Sequence, residues 1–134
     1  MIVGIGVDVV GIERAQRMLD AYGARALDRT CTTPERAYIL SRPGAAQHFA
    51  ARLAAKEAAY KALAGTAPAR RVGWRDIEVA ANAAGPHGLV FHGRAQDRAR
   101  ELGVGRAWVS LTHSDGLAVA MVVLEGPNGA GSEE

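Results

Sequence analysis

Residues 45–64, AAQHFAARLAAKEAAYKALA, read as one uninterrupted helix, and a chain of 134 residues has to be assembled around it. Alanine and leucine dominate the segment, no glycine or proline breaks it, and Gly65 follows as a stop. At about 100° per residue, Phe49, Leu53, Tyr60 and Leu63 share one apolar stripe. Lys56 falls in the middle of that stripe, Glu57 on one edge and Arg52 on the other. A helix used only for packing would place alanine at these three positions. One explanation is a snorkelling Lys56 with an i,i+4 pair from Glu57 to Lys61. The other is that the charges belong to a site.

The rest of the chain supplies what the helix needs to be covered. Residues 2–10 are a β-branched run with Gly4 and Gly6 inside it, which predicts a mostly buried strand. From Ile12 the period becomes helical, with Ile12, Ala15, Leu19 and Tyr22 forming the core stripe of a helix over 12–22. Thr32-Thr33-Pro34-Glu35 is a helix start, with a threonine cap, proline in the first turn and Glu35 three residues on; that helix should stop near Arg42-Pro43-Gly44. A loop at 65–73 leads to strand-like segments at 74–81 and 88–92, separated by a turn containing Gly85-Pro86. A charged helix at 94–102 ends at Gly103, and strands at 106–112 and 117–125 form a hairpin through His113-Ser114-Asp115-Gly116. The expectation is one α+β domain over 1–125, a largely antiparallel sheet on a long central helix, followed by a flexible tail at 126–134.

Composition narrows the function. Hydrophobic residues make up 49% and aromatic ones 5%, so the core is aliphatic. At this size much apolar surface stays near solvent, and oligomerisation is the natural remedy. The single Cys31 excludes an internal disulfide, fits a reducing cytosol, and is read as a small core or helix-start residue. MIVGIGVDVV carries Asp8 and no basic leader, and no apolar run approaches the ~20 residues of a membrane span; a cytoplasmic protein is expected. Net charge is +2, or +4 without Glu133 and Glu134, which suits an acidic partner or a phosphate ligand. Scattered arginines without exposed aromatic platforms speak against nucleic acid. Gly4-Ile5-Gly6 hints at a dinucleotide site, but the third glycine falls on Val9 and too few strands follow.

Asp8 stands among Val7, Val9 and Val10, where a carboxylate must be hydrogen-bonded, metal-bound or near the surface. It is either a strand-end cap for the next helix or a ligand, and Gly4 and Gly6 let a ligand or another backbone come close. Asp8 and Glu57, both half-buried, with Lys61 one turn beyond, describe a hard-cation site beside a phosphate site. In Val109-Ser110-Leu111-Thr112-His113, Ser110 and Thr112 share a strand face, and His113 at the turn is either structural or a phosphate or adenine contact.

Three segments, GIGVDVVGIER at 4–14, FAARLAAKEAAYKAL at 49–63 and VSLTHSDGLAVAMVV at 109–123, resemble the holo-[acyl-carrier-protein] synthase family in order and spacing. This is the short branch of the 4′-phosphopantetheinyl transferases. The resemblance implies that fold and a Mg²⁺-dependent transfer of the phosphopantetheine arm of coenzyme A to a serine of an acyl carrier protein, in fatty-acid or polyketide synthesis. It implies Asp8 and Glu57 as metal ligands and Lys61 as the lysine facing the pyrophosphate. Asp8, Glu57 and Lys61 then form the catalytic group, with Glu57 also the candidate base. Arg52 and His113 match positions that hold the nucleotide. Pro86 belongs to the turn near the adenine, although the order Gly85-Pro86-His87-Gly88 departs from the usual Gly-x-Pro. Leu53 replaces a common aromatic, a change of packing. The family assembles as a trimer with active sites between subunits. On the first helix, Arg14, Met18 and Arg25 follow a second stripe with Arg17 beside it. That face is either a docking surface for an acidic carrier-protein helix or a solvated basic face.

Overall fold

The computed structural model describes residues 1–63, 72–82 and 87–127. Strand β1 (Ile2–Gly11) runs into α1 (Ile12–Tyr22), and α2 (Ala24–Thr30), α3 (Thr33–Leu40) and the long α4 (Ala45–Leu63) follow. After a single 3₁₀ turn at Trp74–Asp76 come β2 (Ile77–Ala80), β3 (Gly88–Phe91), α5 (Gly93–Leu102), β4 (Arg106–Ser114) and β5 (Leu117–Glu125). The strands form two antiparallel sheets, one ordered β1-β5-β4 and one made of β2 and β3. The α+β class and the central helix are as expected.

Helix α4 is enclosed rather than striped. Alongside Phe49, Leu53 and Leu63, the charged Arg52 and Lys56 are also buried, because the three-stranded sheet, α1, α3 and β2 surround it. Its fit against β1 depends on two glycines. A Cβ on Gly4 would stand 2.3 Å from the Ala62 carbonyl oxygen, and one on Gly6 only 1.8 Å from that of Ala58. The close approach permitted by GxG is therefore made by a helix backbone, with alanines supplying the other half of the interface.

Strand β1 departs from the expectation of a mostly buried element. Gly6 and Val10 face α4 and are buried, whereas Ile5, Val7 and Val9 are 57%, 52% and 50% exposed. The same alternation runs through β5, with Ala118, Ala120, Val122 and Leu124 buried and Leu117 and Met121 exposed, and Trp108 of β4 adds to the open side. A β-branched run of this kind predicts a mostly buried strand, but α4 covers only one of its faces. The register that sets this is Gly6 opposite Val122 and Asp8 opposite Ala120.

Other boundaries moved for local reasons. Tyr22, assigned to the core stripe of α1, is 59% exposed, because α1 ends there and Gly23 (φ 56°) turns the chain into the unanticipated α2. Helix α3 starts on the predicted capping box, with Thr32 N–H donating to Glu35 Oε1 at 2.8 Å. It ends at Leu40 because Arg42 precedes a proline, a position that disfavours helix. Strand β2 begins at 77 rather than 74, since the Gly73 N–H is drawn into a turn by Asp76 Oδ2 at 2.9 Å. His113 and Ser114 belong to β4; the hairpin turn is Asp115-Gly116 alone, with φ of 51° and 77°, the left-handed pair that a two-residue turn demands. Gly126 donates its N–H to the Met1 carbonyl at 2.8 Å, beside the first strand. No helix among the described residues is long and apolar enough to cross a membrane.

Candidate active site

Because Gly4, Gly6, Asp8 and Val10 occupy one face of β1, the contact that seats α4 on the glycines also brings Asp8 against the helix. Lys61 Nζ donates to Asp8 Oδ1 at 2.7 Å and to the Val7 carbonyl at 3.3 Å. Glu57, one turn earlier, lies within hydrogen-bonding contact of Asp8, and burial followed by that neighbouring carboxyl holds its pKa above the ordinary value. Arg14 Nη2 approaches Glu57 Oε1 only to 3.9 Å. The Lys61 pKa is raised, chiefly by its hydrogen bond to Asp8. Asp8 Oδ2 is buried and has no hydrogen-bond partner.

Two adjoining carboxylates with an orphaned buried oxygen are what a small hard cation would satisfy. Among the described residues no third His, Cys, Asp or Glu joins them. The donor set therefore fits Mg²⁺, which takes one or two carboxylates and completes its octahedron with water and phosphate oxygens, and not a metal needing an all-protein cage. The strand-end capping alternative for Asp8 is not realised, since α1 begins after Gly11 with no side-chain cap.

A second charged cluster lies toward the other end of α4. Arg52 Cζ sits 4.1 Å from the centre of the Tyr38 ring and Arg42 Cζ 3.7 Å from it. The rings of His48 and His87 meet Tyr38 edge-on at 5.5 and 5.9 Å. Arg52 is 1% exposed, and its Nε and Nη2 are buried without acceptors. Burial lowers the Arg52 pKa, and burial followed by the charge of Arg52 lowers those of His48 and His87. Such a cluster is an anion site in waiting: donors are already desolvated and positive charge is concentrated. His113 approaches it from β4, its Nε2 2.8 Å from Gln47 Nε2. Ser110 and Thr112 lie instead on the exposed side of β4.

Sequence reasoning thus placed Asp8, Glu57 and Lys61 together correctly and put Arg52 and His113 in one neighbourhood. It missed Tyr38, Arg42, His48 and His87. The available signal was the i,i+4 spacing of Tyr38 to Arg42 and of His48 to Arg52. Pro86 lies outside the described residues. Of the docking group, Arg14, Arg17 and Arg25 are exposed, but Met18 is half-buried against the core and not a free surface methionine. Met18 and Arg25 line a hollow of about 310 Å³ with Tyr22, Ala26, Arg29 and Thr30. Arg17 instead pairs with Glu13 at 3.1 Å, and Arg14 faces Glu57.

The profile of the 4′-phosphopantetheinyl transferase superfamily matches residues 4–122. The chain is 43% identical to a holo-[acyl-carrier-protein] synthase of Koribacter versatilis, over 93% of this chain and 99% of that one. It is 49% identical to one from Anaeromyxobacter dehalogenans, over 94% and 98%. Among solved structures it is similar to holo-[acyl-carrier-protein] synthase from Neisseria meningitidis, with a TM-score of 0.81, 27% identity and coverage of 93% and 99%. It is also similar to the Bacillus anthracis synthase in complex with CoA (3′,5′-ADP), at a TM-score of 0.75, 34% identity and coverage of 95% and 99%. This chain belongs to the 4′-phosphopantetheinyl transferase superfamily.

Proposed function

We propose that this chain is a holo-[acyl-carrier-protein] synthase: it transfers the 4′-phosphopantetheine of coenzyme A to a serine of an apo acyl carrier protein, with Mg²⁺. The observation that carries this reading is the arrangement of α4. One helix brings Glu57 and Lys61 against Asp8 of β1 and, toward its other end, carries a buried, acceptor-hungry guanidinium at Arg52. Coenzyme A offers a pyrophosphate to the first and a 3′-phosphate to the second. The relatives' shared name and the CoA-bound relative support the same assignment.

Mg²⁺ held by Asp8 and Glu57 would neutralise the pyrophosphate and strengthen its β-phosphorus as an electrophile. The protein's own residues do the rest. Lys61, half exposed, meets the charge that accumulates on the departing phosphate oxygen. Arg52, steered by Tyr38 and supported by Arg42, His48, His87 and His113, grips the remote phosphate, so its binding energy orients the reacting end. The serine oxygen bonds to the β-phosphorus while the bond to the bridging oxygen breaks, releasing adenosine 3′,5′-bisphosphate. Glu57, directly or through a water, is the acceptor for the serine proton.

The carrier docks on α1 through Arg14, Arg17 and Arg25, and an apolar side chain enters the hollow beside Met18; Arg29 extends this basic rim. The open face of Ile5, Val7, Val9, Trp108, Leu117 and Met121 is covered by further copies of the chain as a homotrimer, with the sites at subunit borders. The enzyme acts in the cytoplasm, neither on nucleic acid nor at a membrane, with residues 1–125 as its domain and the rest as a tail. Incubation with coenzyme A, Mg²⁺ and apo carrier proteins should add the phosphopantetheine mass to the carrier. No gain across fatty-acid and polyketide carriers would overturn the reading.

A further inference from the structure

Lys56 and Glu35 form a buried charge pair beside the candidate site. Both are 1% exposed. Lys56 Nζ donates to Glu35 Oε1 at 2.7 Å, to the Trp74 carbonyl at 3.0 Å and to the Ile77 carbonyl. Glu35 Oε1 also accepts from Thr32 N–H at 2.8 Å, and its Oε2 accepts from Val79 N–H at 2.8 Å. One saturated charge pair therefore ties α3, α4, the 3₁₀ turn and β2 together. Such a pair contributes little net stability relative to apolar residues of the same volume. What it supplies is direction: the three donors of one ammonium are aimed at one carboxylate and two carbonyls.

Those two carbonyls belong to one wall of a cleft of about 460 Å³. Its described lining is Lys56, Glu57, Tyr60 and Lys61 from α4 together with Val72, Gly73, Trp74 and Ile77. A phosphate held at Lys61 would therefore have beside it a cleft lined in part by the apolar side chains of Tyr60, Val72, Trp74 and Ile77. We propose that Glu35 and Lys56 are positioning residues that fix the width of this slot, and that the slot takes the pantetheine arm of the donor, resting on the transferase reading above. The arm is an amide-bearing aliphatic chain, suited to a wall of Tyr60, Val72, Trp74 and Ile77.

Steady-state kinetics on the intact enzyme with Mg²⁺ and an apo carrier tests this. The double variant Glu35→Gln with Lys56→Met removes both buried charges together. It should raise KM for coenzyme A by roughly tenfold, the loss expected when charge-assisted hydrogen bonds no longer fix a wall. At saturating donor, kcat should stay within about threefold. The inhibition constant of adenosine 3′,5′-bisphosphate, which has no arm, should stay within about twofold, a split that general loosening of the fold would not give. Trp74→Ala, which leaves the charge pair intact, should show the same split. Parallel rises in KM and in the nucleotide's inhibition constant would overturn the proposal. So would a Trp74→Ala enzyme with unchanged KM, whether or not the double variant folds. Absence of transfer by the wild-type protein would instead refute the transferase reading itself.

Discussion

Gly6→Ala is the substitution that most directly tests how the fold makes the site. The added Cβ would stand 1.8 Å from the Ala58 carbonyl oxygen, about 1.6 Å short of the 3.4 Å at which ordinary contact begins. Both atoms are backbone-bound, one in a paired strand and one in a largely buried helix, so no side chain can swing away. The strand and α4 must separate, at the upper end of overpacking costs, about 3 kcal/mol. For a chain of this size that lowers Tm by roughly 10–15 °C. Because the same separation moves Asp8 away from Glu57 and Lys61, kcat/KM measured well below the new Tm should fall by about a hundredfold, as displacements near 1 Å do. Thermal unfolding by circular dichroism and carrier-modification kinetics measure the two effects. Gly11→Ala is the control: nothing lies within 4 Å of its added Cβ, and its φ of −67° suits any residue, so Tm should move by only a few degrees. A Gly6→Ala protein that melts within about 3 °C of wild type and keeps half its activity would refute the claim that helix–glycine contact sets the geometry.

Asp8→Asn and Glu57→Gln should each reduce transfer at least about a hundredfold at saturating Mg²⁺ with little loss of helical signal; wild-type activity in either removes it from the metal site. Arg52→Met should leave kcat largely intact while raising KM for coenzyme A and the inhibition constant of adenosine 3′,5′-bisphosphate together, and an unchanged inhibition constant would dissociate Arg52 from the nucleotide. Met121→Lys should convert the assembly to single chains in sedimentation; an unchanged sedimentation profile would place the contact elsewhere. The folded protein lowers the imidazole pKa of His48 and His87 below 6.5, so their contribution to stability is present above that pH and lost as pH falls through the lowered values. Between pH 7 and 5 the Tm of wild type should therefore drop more than that of the His48→Gln, His87→Gln double variant, and parallel curves would contradict the assignment.

The parts of this molecule legible in the sequence were those set by local periodicity or by chemistry out of place. Helix α4, the hairpin and the cap at Thr32 follow from neighbours in the chain. Asp8 and Glu57 were visible because carboxylates rarely interrupt such apolar patterns. Glu35 was half legible: its spacing from Thr32 announced a capping box, but nothing local says that the same carboxylate reaches Lys56 and Val79. The cluster around Tyr38 was half legible in the same way: two i,i+4 spacings announce parts of it, but His87 approaches it from beyond β2, a pairing that only tertiary structure creates. The bareness of Ile5, Val7 and Val9 was misread because apolar runs look alike whether a helix or another molecule will cover them.

The two-residue alternation of β1 has a consequence for how such a chain can change over evolutionary time. The helix seat, the Asp8 carboxylate and the outward apolar face are interleaved on ten consecutive residues. Inserting or deleting one residue between Gly4 and Asp8 would exchange the two sets, turning the carboxylate outward and driving isoleucine and valine side chains into the helix backbone. Point substitutions that keep the outer face apolar can accumulate gradually, but length changes within this strand forfeit every role at once. Indels should therefore be absent from β1 and confined to the connections that join the other elements.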